Sequence, residues 1–103
     1  MIQMRILQQV IGLTDRKTYP LPGNEIVPIC VKQMNDSLIM YFKTDATADE
    51  IVNKNPSTPI TVCIVGTGLE RDDLNGFDYL DTVTTSCGEV WHCFVKNEIT
   101  CDF

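Results

Sequence analysis

Thr61-Val62-Cys63-Ile64-Val65-Gly66-Thr67-Gly68-Leu69 decides how this chain is read, and Glu89-Val90-Trp91-His92-Cys93-Phe94-Val95 is its expected partner. Each is a short, almost wholly apolar run rich in β-branched or aromatic residues, the composition of a strand buried on both faces. The first ends in Gly66-Thr67-Gly68, a turn whose glycines permit positive φ and leave backbone N–H groups open. The second holds the only Trp and the only His of the protein. A functional mark is therefore expected where these two strands meet.

Working outward, Met4, Ile6, Leu7 and Val10 predict a first strand over 2–10. A polar turn at 14–17 leads to 18–23, where Pro20, Pro22 and Gly23 fix an extended segment and then a turn. Residues 25–34 alternate, and Pro28 places that strand at an edge or a bulge. Asn35-Asp36 turns it into 37–43, so 25–43 reads as a β-hairpin. The pattern breaks over 44–59, a surface excursion in which Thr47 and Glu50 have the spacing of a capping box for one or two helical turns. An acidic loop fills 70–76, a strand follows over 77–85, and 86–88 turns the chain into 89–96. Asn97 permits a last turn to Ile99, Cys101 and Phe103. The expected fold is mostly β: a small single-domain antiparallel sheet or barrel of six or seven short strands, closed or folded on itself, with one short helical excursion.

Composition narrows the function. At 103 residues there is material for one modest core. With 44% apolar and 21% charged residues the chain is neither disordered nor membrane-spanning. Its longest apolar runs fall far short of the ~20 residues a membrane helix needs. The first nine residues lack the basic region and apolar core of a signal peptide, so a soluble intracellular protein is expected. A net charge of −6 argues against long nucleic acid, whose binding rests on Lys and Arg. A small nucleotide stays open, because a pocket can use backbone N–H donors. Five cysteines without a Cys-x-x-Cys spacing read as reduced thiols, mostly small core residues. His92 and Cys93 are adjacent on a predicted strand, point to opposite faces and cannot both ligate one metal. No metal and no cofactor is expected.

Each chemical candidate carries a plainer alternative. The turn Gly66, Thr67, Gly68 is either a tight exit from a core strand or a small anion nest in which N–H groups and the Thr67 hydroxyl meet a phosphate. It is not a Walker loop, since no Lys-Ser/Thr and no helix follow. Trp91 is a core residue or a stacking platform, and His92 a hydrogen-bonded core histidine or a donor to a ligand. Arg71, just after Gly68, can supply charge to an anion. The acids at 70–81 lack calcium-loop spacing and read as a solvated loop. With one histidine and no Ser-His-Asp or Cys-His constellation, the residues do not describe an enzyme.

The order Leu21-Pro22-x-x-x-Ile26, Ile64-Val65-Gly66-Thr67-Gly68, Tyr79-Leu80-x-Thr82-Val83 and Val90-Trp91-His92-x-Phe94 resembles a family of small phage- or prophage-encoded domains over about residues 2–96. The chain departs from that pattern in its longer 44–59 segment and at Leu69, where histidine is frequent. The resemblance implies an anti-defence "sponge" protein in the host bacterial cytoplasm. Such a protein sequesters a cyclic nucleotide signal of bacterial immune systems such as CBASS or Thoeris without degrading it. The implied ligand-binding set is Gly66, Thr67, Gly68, Arg71, Tyr79, Trp91 and His92, with Trp91 or Tyr79 stacking on a base. So small a domain is expected to work as a homo-oligomer. Two rivals stand beside it: an acidic, anti-CRISPR-like inhibitor that imitates nucleic acid, and a structural phage accessory with no small ligand.

Overall fold

The computed structural model describes residues 4–13, 15–35, 37–68 and 71–98. Among them seven strands and one helix form: β1 (Arg5–Ile11), β2 (Arg16–Pro22), β3 (Ile26–Met34), β4 (Ser37–Thr44), α1 (Ala48–Asn53), β5 (Ser57–Gly66), β6 (Asp78–Thr84) and β7 (Val90–Asn97). They build two antiparallel sheets, a three-stranded one in the order β1-β4-β3 and a four-stranded one in the order β2-β5-β7-β6. The final strand expected over 99–103 lies outside the described residues.

β5 pairs antiparallel with β7, Ile64 opposite Cys93 and Gly66 opposite Trp91. The expected hairpin is also present: β3 and β4 pair from Ile26↔Thr44 to Met34↔Ser37, and the register shifts between Pro28 and Cys30. Pro28 thus sits on an edge strand and next to a bulge. Neither sheet is a plain meander, because β1 pairs with β4 and β5 lies between β2 and β7.

The segment read as a polar turn and an extended stretch is itself a strand, β2. The reason is the alternation of its backbone. Ile64 N–H donates to Asp15 O at 3.3 Å, so even-numbered β5 residues face the β2 side. Their partners Lys17, Tyr19 and Leu21 bond to β5, while Pro20 and Pro22 fall on the alternate, outward side where no ladder N–H is needed. Strand β5 also begins earlier than expected, at Ser57, and shortens the excursion. What remains is α1, capped by Thr47 and Glu50: Glu50 N–H donates to Thr47 Oγ1 at 3.3 Å and Thr47 N–H to Glu50 Oε1 at 2.8 Å.

The inner faces of the two sheets share one core. Ile11, Leu21, Val31, Met40, Phe42, Ile60, Val62 and Cys93 are at most 2% exposed. A junction of buried hydroxyls holds the sheets together at one end. Thr44 donates to Pro22 O at 2.5 Å and Thr58 to Gly23 O at 2.7 Å. Gly23 is required there: its φ is +116° and a Cβ would lie 2.1 Å from Thr44 Oγ1. Beside it, Asp45 accepts from the N–H groups of Asn24 and Glu25 at 2.9 and 3.1 Å. These bonds hold its carboxyl below the usual range. The sheets also meet along β3 and β6, where Val31 N–H donates to Asp81 Oδ2 at 2.9 Å.

Candidate functional site

Strand alternation separates the residues of β7. Trp91, Cys93 and Val95 turn inward and Val90, His92 and Phe94 outward, as their burial and partners show. His92 and Cys93 accordingly lie on opposite faces. Burial pushes the Cys93 thiol up to about 12.

On the outer face His92 is the centre of a row of side-chain hydrogen bonds. Its Nε2 lies 2.8 Å from Thr67 Oγ1 and its Nδ1 3.0 Å from Thr82 Oγ1. Thr82 Oγ1 is in turn 2.5 Å from the Tyr79 hydroxyl. The Tyr79 ring meets Phe94 edge-on, with centroids 5.7 Å apart and planes at 71°, and it is 59% exposed. A register shift between Tyr79 and Asp81 makes the row possible. The extra residue puts Tyr79 and Thr82 on one face although they are three apart, and frees Asp81 to point the other way toward Val31. Each hydroxyl in the row can donate or accept, so the direction of donation along it can reverse.

Gly66 ends β5 in extended backbone, while Gly68 carries the positive φ of the turn, +85°, with no described residue other than its chain neighbours within 4 Å of where a Cβ would stand. Among the described residues nothing pairs with the β2 side of β5 beyond Asp15. Alternation from Ile64 directs the N–H and C=O of Gly66 to that side. A cleft of about 190 Å3 lies there, lined by Leu13, Asp15, Ile64, Val65, Gly66, Arg71 and Trp91. Trp91 packs against the core from its rim, and its Nε1 is buried with no hydrogen-bond partner among the described residues.

Arg71 is placed at this cleft, and each of its three side-chain nitrogens already bonds an acid. Its Nε and Nη2 bond both oxygens of Asp73 at 2.8 and 2.7 Å, and its Nη1 reaches Asp15. The guanidinium holds the Asp73 carboxyl well below its usual value. Arg16 adds a longer contact to Asp73 at 3.7 Å and lies over the Phe77 ring at 4.8 Å. This loop packs over the outer face of β5, and the Cys63 thiol beneath it is 0% exposed and raised by burial.

The residues singled out from the sequence therefore gather at one end of β5 in two sets. Thr67, His92 and Tyr79 form the outer row, whereas Gly66, Arg71 and Trp91 line the cleft, and Gly68 stands at the turn between them. Sequence reading missed Thr82 as the bridge from His92 to Tyr79, because its facing depends on the β6 bulge. It also missed Asp15 and Leu13, which only the chain's return beside β5 brings to the cleft. Of the four described cysteines, Cys63 and Cys93 are buried, Cys30 is half-buried and Cys87 exposed; all four are free. Among the described residues no group of three or more His, Cys, Asp or Glu converges to hold a metal, and no helix is long and apolar enough to cross a membrane.

This two-sheet β domain with its row at the β5 exit belongs to a recognised class. Residues 3–100 match the model of a domain of unknown function, DUF7352, and the chain is a member of that family. No curated protein and no solved structure matches it.

Proposed function

We propose that this chain is a binding protein for a small nucleotide-type ligand, held at the β5 exit without chemical change. Within that class we place it as a phage anti-defence protein that sequesters a cyclic oligonucleotide or a cyclic ADP-ribose-type signal. The observation that carries the ligand class is the Thr67–His92–Thr82–Tyr79 row. It sets an exposed aromatic ring beside a line of hydroxyl and imidazole groups that can donate and accept, which suits stacking on a base and bonding to its edge. The adjoining Thr67-Gly68 turn, uncrowded and adjacent to the outward-directed N–H of Gly66, suits a phosphate. Two features favour holding over catalysis. Both His92 nitrogens bond to hydroxyls, and neither bonds to a carboxylate that would orient and stabilise an imidazolium during proton transfer. The cation next after the turn in sequence, Arg71, is already paired with two acids.

The cleft of one chain, about 190 Å3, is smaller than the roughly 300–1,000 Å3 of ordinary ligand pockets. A dinucleotide therefore needs surface from a second copy, and a homo-oligomer is part of the proposal. The acidic-mimic alternative draws less support, because Asp15, Asp45, Asp73 and Asp81 are committed to bonds within the chain.

Thermal unfolding against a panel of cyclic di- and trinucleotides and cyclic ADP-ribose isomers tests the reading. Ligand at a hundred times its dissociation constant is expected to stabilise by about 2.7 kcal/mol, a rise of several degrees. The ligand is expected back intact after heating. A flat panel, or recovery of a cleaved product, would overturn it.

A further inference from the structure

The four outer strands of the two sheets are not alike. On β2 the outward-facing backbone positions include Pro20 and Pro22, which have no N–H to offer. Strands β3 and β6 face one another, each carries a register shift, and Asp81 caps the outward N–H of Val31. On strand β1 the one such cap among the described residues is Gln9 Nε2 on Val10 O, at 2.9 Å. The strand runs seven residues, Arg5–Ile11, in unbroken register with β4, without proline or bulge. Among the described residues no strand pairs with its other side.

The backbone direction of β1 follows from its neighbours. Val31 N–H points away from β4 to Asp81, so β4 bonds to β3 through residues 39, 41 and 43 and to β1 through 38, 40, 42 and 44. Residues 5, 7, 9 and 11 of β1 then complete the β4 ladder, and Ile6, Gln8 and Val10 direct N–H and C=O to the open side. Two contacts agree with this. Gln9 Nε2 reaches round to Val10 O at 2.9 Å, and Gly12 N–H, next in the outward series, meets the Tyr19 hydroxyl at 3.3 Å.

We infer that β1 is the interface through which two copies of this chain associate, by antiparallel β1–β1 pairing about a two-fold axis at Gln8. The strand is complementary to itself in that register. Gln8 falls opposite Gln8 of the second copy, and Ile6 opposite Val10, twice. Three backbone pairs exchange six N–H···O bonds through the outward groups, the partner N–H replacing Gln9 Nε2 on Val10 O. On the outer face Ile6 (64% exposed) and Val10 (53% exposed) become cross-strand apolar partners. Pairing ends at Gly12, whose N–H is already taken.

The self-complementary register selects a second copy as the occupant, and charge permits it. The protein carries fourteen acids and a net charge of −6, yet β1, β3 and β4 contain Arg5, Lys32 and Lys43 and not one acid. Two acidic molecules can meet along this edge without setting carboxylates against each other. Arg5 is drawn aside as well, its Nε donating to Ala46 O at 3.2 Å. Closed two-fold pairing also removes the edge in both molecules at once, where pairing with an unrelated strand removes it in one. The result is a continuous six-stranded sheet. The inference does not depend on the nucleotide reading, because β1 belongs to the sheet opposite the His92 row.

Sedimentation of the full chain from about 1 to 300 μM, a range set by a contact of one strand pair with expected micromolar affinity, reads the prediction directly. A reversible passage from an 11.6 kDa monomer to a particle of twice that mass is expected, and a double Ile6→Lys, Val10→Lys variant is expected to stay monomeric throughout. Hydrogen exchange on the unaltered protein removes dependence on the variant's folding. The amides of 6, 8 and 10 gain protection of tenfold or more with concentration, while 5, 7, 9 and 11 are protected at every concentration. A monomer at 300 μM, or a dimer in which amides 6, 8 and 10 exchange as fast as in the monomer, would overturn the proposal.

Discussion

The two faces of the β2-β5-β7-β6 sheet bury the same strand by different means. On the inner face Ile60, Val62 and Ile64 pack against the opposite sheet in a contiguous apolar core. On the outer face Thr61, Cys63 and Val65 are almost as inaccessible, yet among the described residues no second sheet covers them. Thr61 shares a 2.6 Å contact with Thr18 and donates to Glu98 at 2.7 Å. Over Cys63 lies the loop tied down by Arg71, Asp15 and Asp73, and beside Val65 runs the His92 row. Close packing of apolar atoms yields stability in proportion to the area buried. A hydroxyl or ion-pair cover nets much less, because each bond replaces one with water. The outer face can therefore hold function, since exchanging its groups costs little.

Adjacent positions on β5 put that contrast to its hardest test. Ile60→Ala removes buried methylenes and leaves a cavity, and is expected to cost about 2–5 kcal/mol. Thr61→Val keeps the shape and deletes both hydroxyl contacts, for about 1–2 kcal/mol. Urea unfolding of the two variants measures both. Equal losses would mean that the outer face is as much a core as the inner one.

The cysteines sharpen the comparison through pH. Both thiols are raised above their ordinary value of 9.0 by burial, Cys93 on the inner face to about 12. At Cys63 the charge of Arg71 opposes the rise. A raised folded value means that the unfolded chain loses its proton first. For Cys93 the stability from the protonated thiol is thus complete below pH 9 and drains away between 9 and 12. For Cys93 alone the loss at pH 10 is about 1 kcal/mol. Denaturation midpoints at pH 8 and pH 10 are expected to differ less in Cys93→Ala than in the parent. An unchanged difference would assign the alkaline loss to other groups.

How much of this was readable beforehand follows from the range of the interactions. The pairing of 60–65 with 89–95, the 25–43 hairpin and the Thr47–Glu50 cap depend on local alternation and spacing, and each can be read from the chain. Strand β2 cannot, because its prolines argue against a strand until the side bonded to β5 is known. The bulge in β6 is likewise silent in Tyr79-Leu80-Asp81-Thr82, though it decides that Thr82 joins His92 and Asp81 leaves for Val31. At the site, Thr67, His92 and Tyr79 were legible as unusual residues beside a glycine turn. Arg71 was legible as a charge near that turn, but not as one already spent on Asp73 and Asp15, which is a property of two loops 56 residues apart.

The smallest effect is expected at the residue that matters most to the proposal. His92→Ala deletes both ring contacts of the outer row, but its partners Thr67 and Thr82 are exposed and can turn to water. A stability change of no more than about 0.5 kcal/mol is expected, the range of surface substitutions. The same variant should abolish the thermal shift produced by whichever panel nucleotide stabilises the parent, while Tyr79→Phe, which keeps the ring and removes the hydroxyl, should retain part of it. If instead His92→Ala destabilises on the scale of Ile60→Ala and leaves the ligand shift intact, the row is a structural brace. The outer face then differs from the inner one in chemistry but not in purpose.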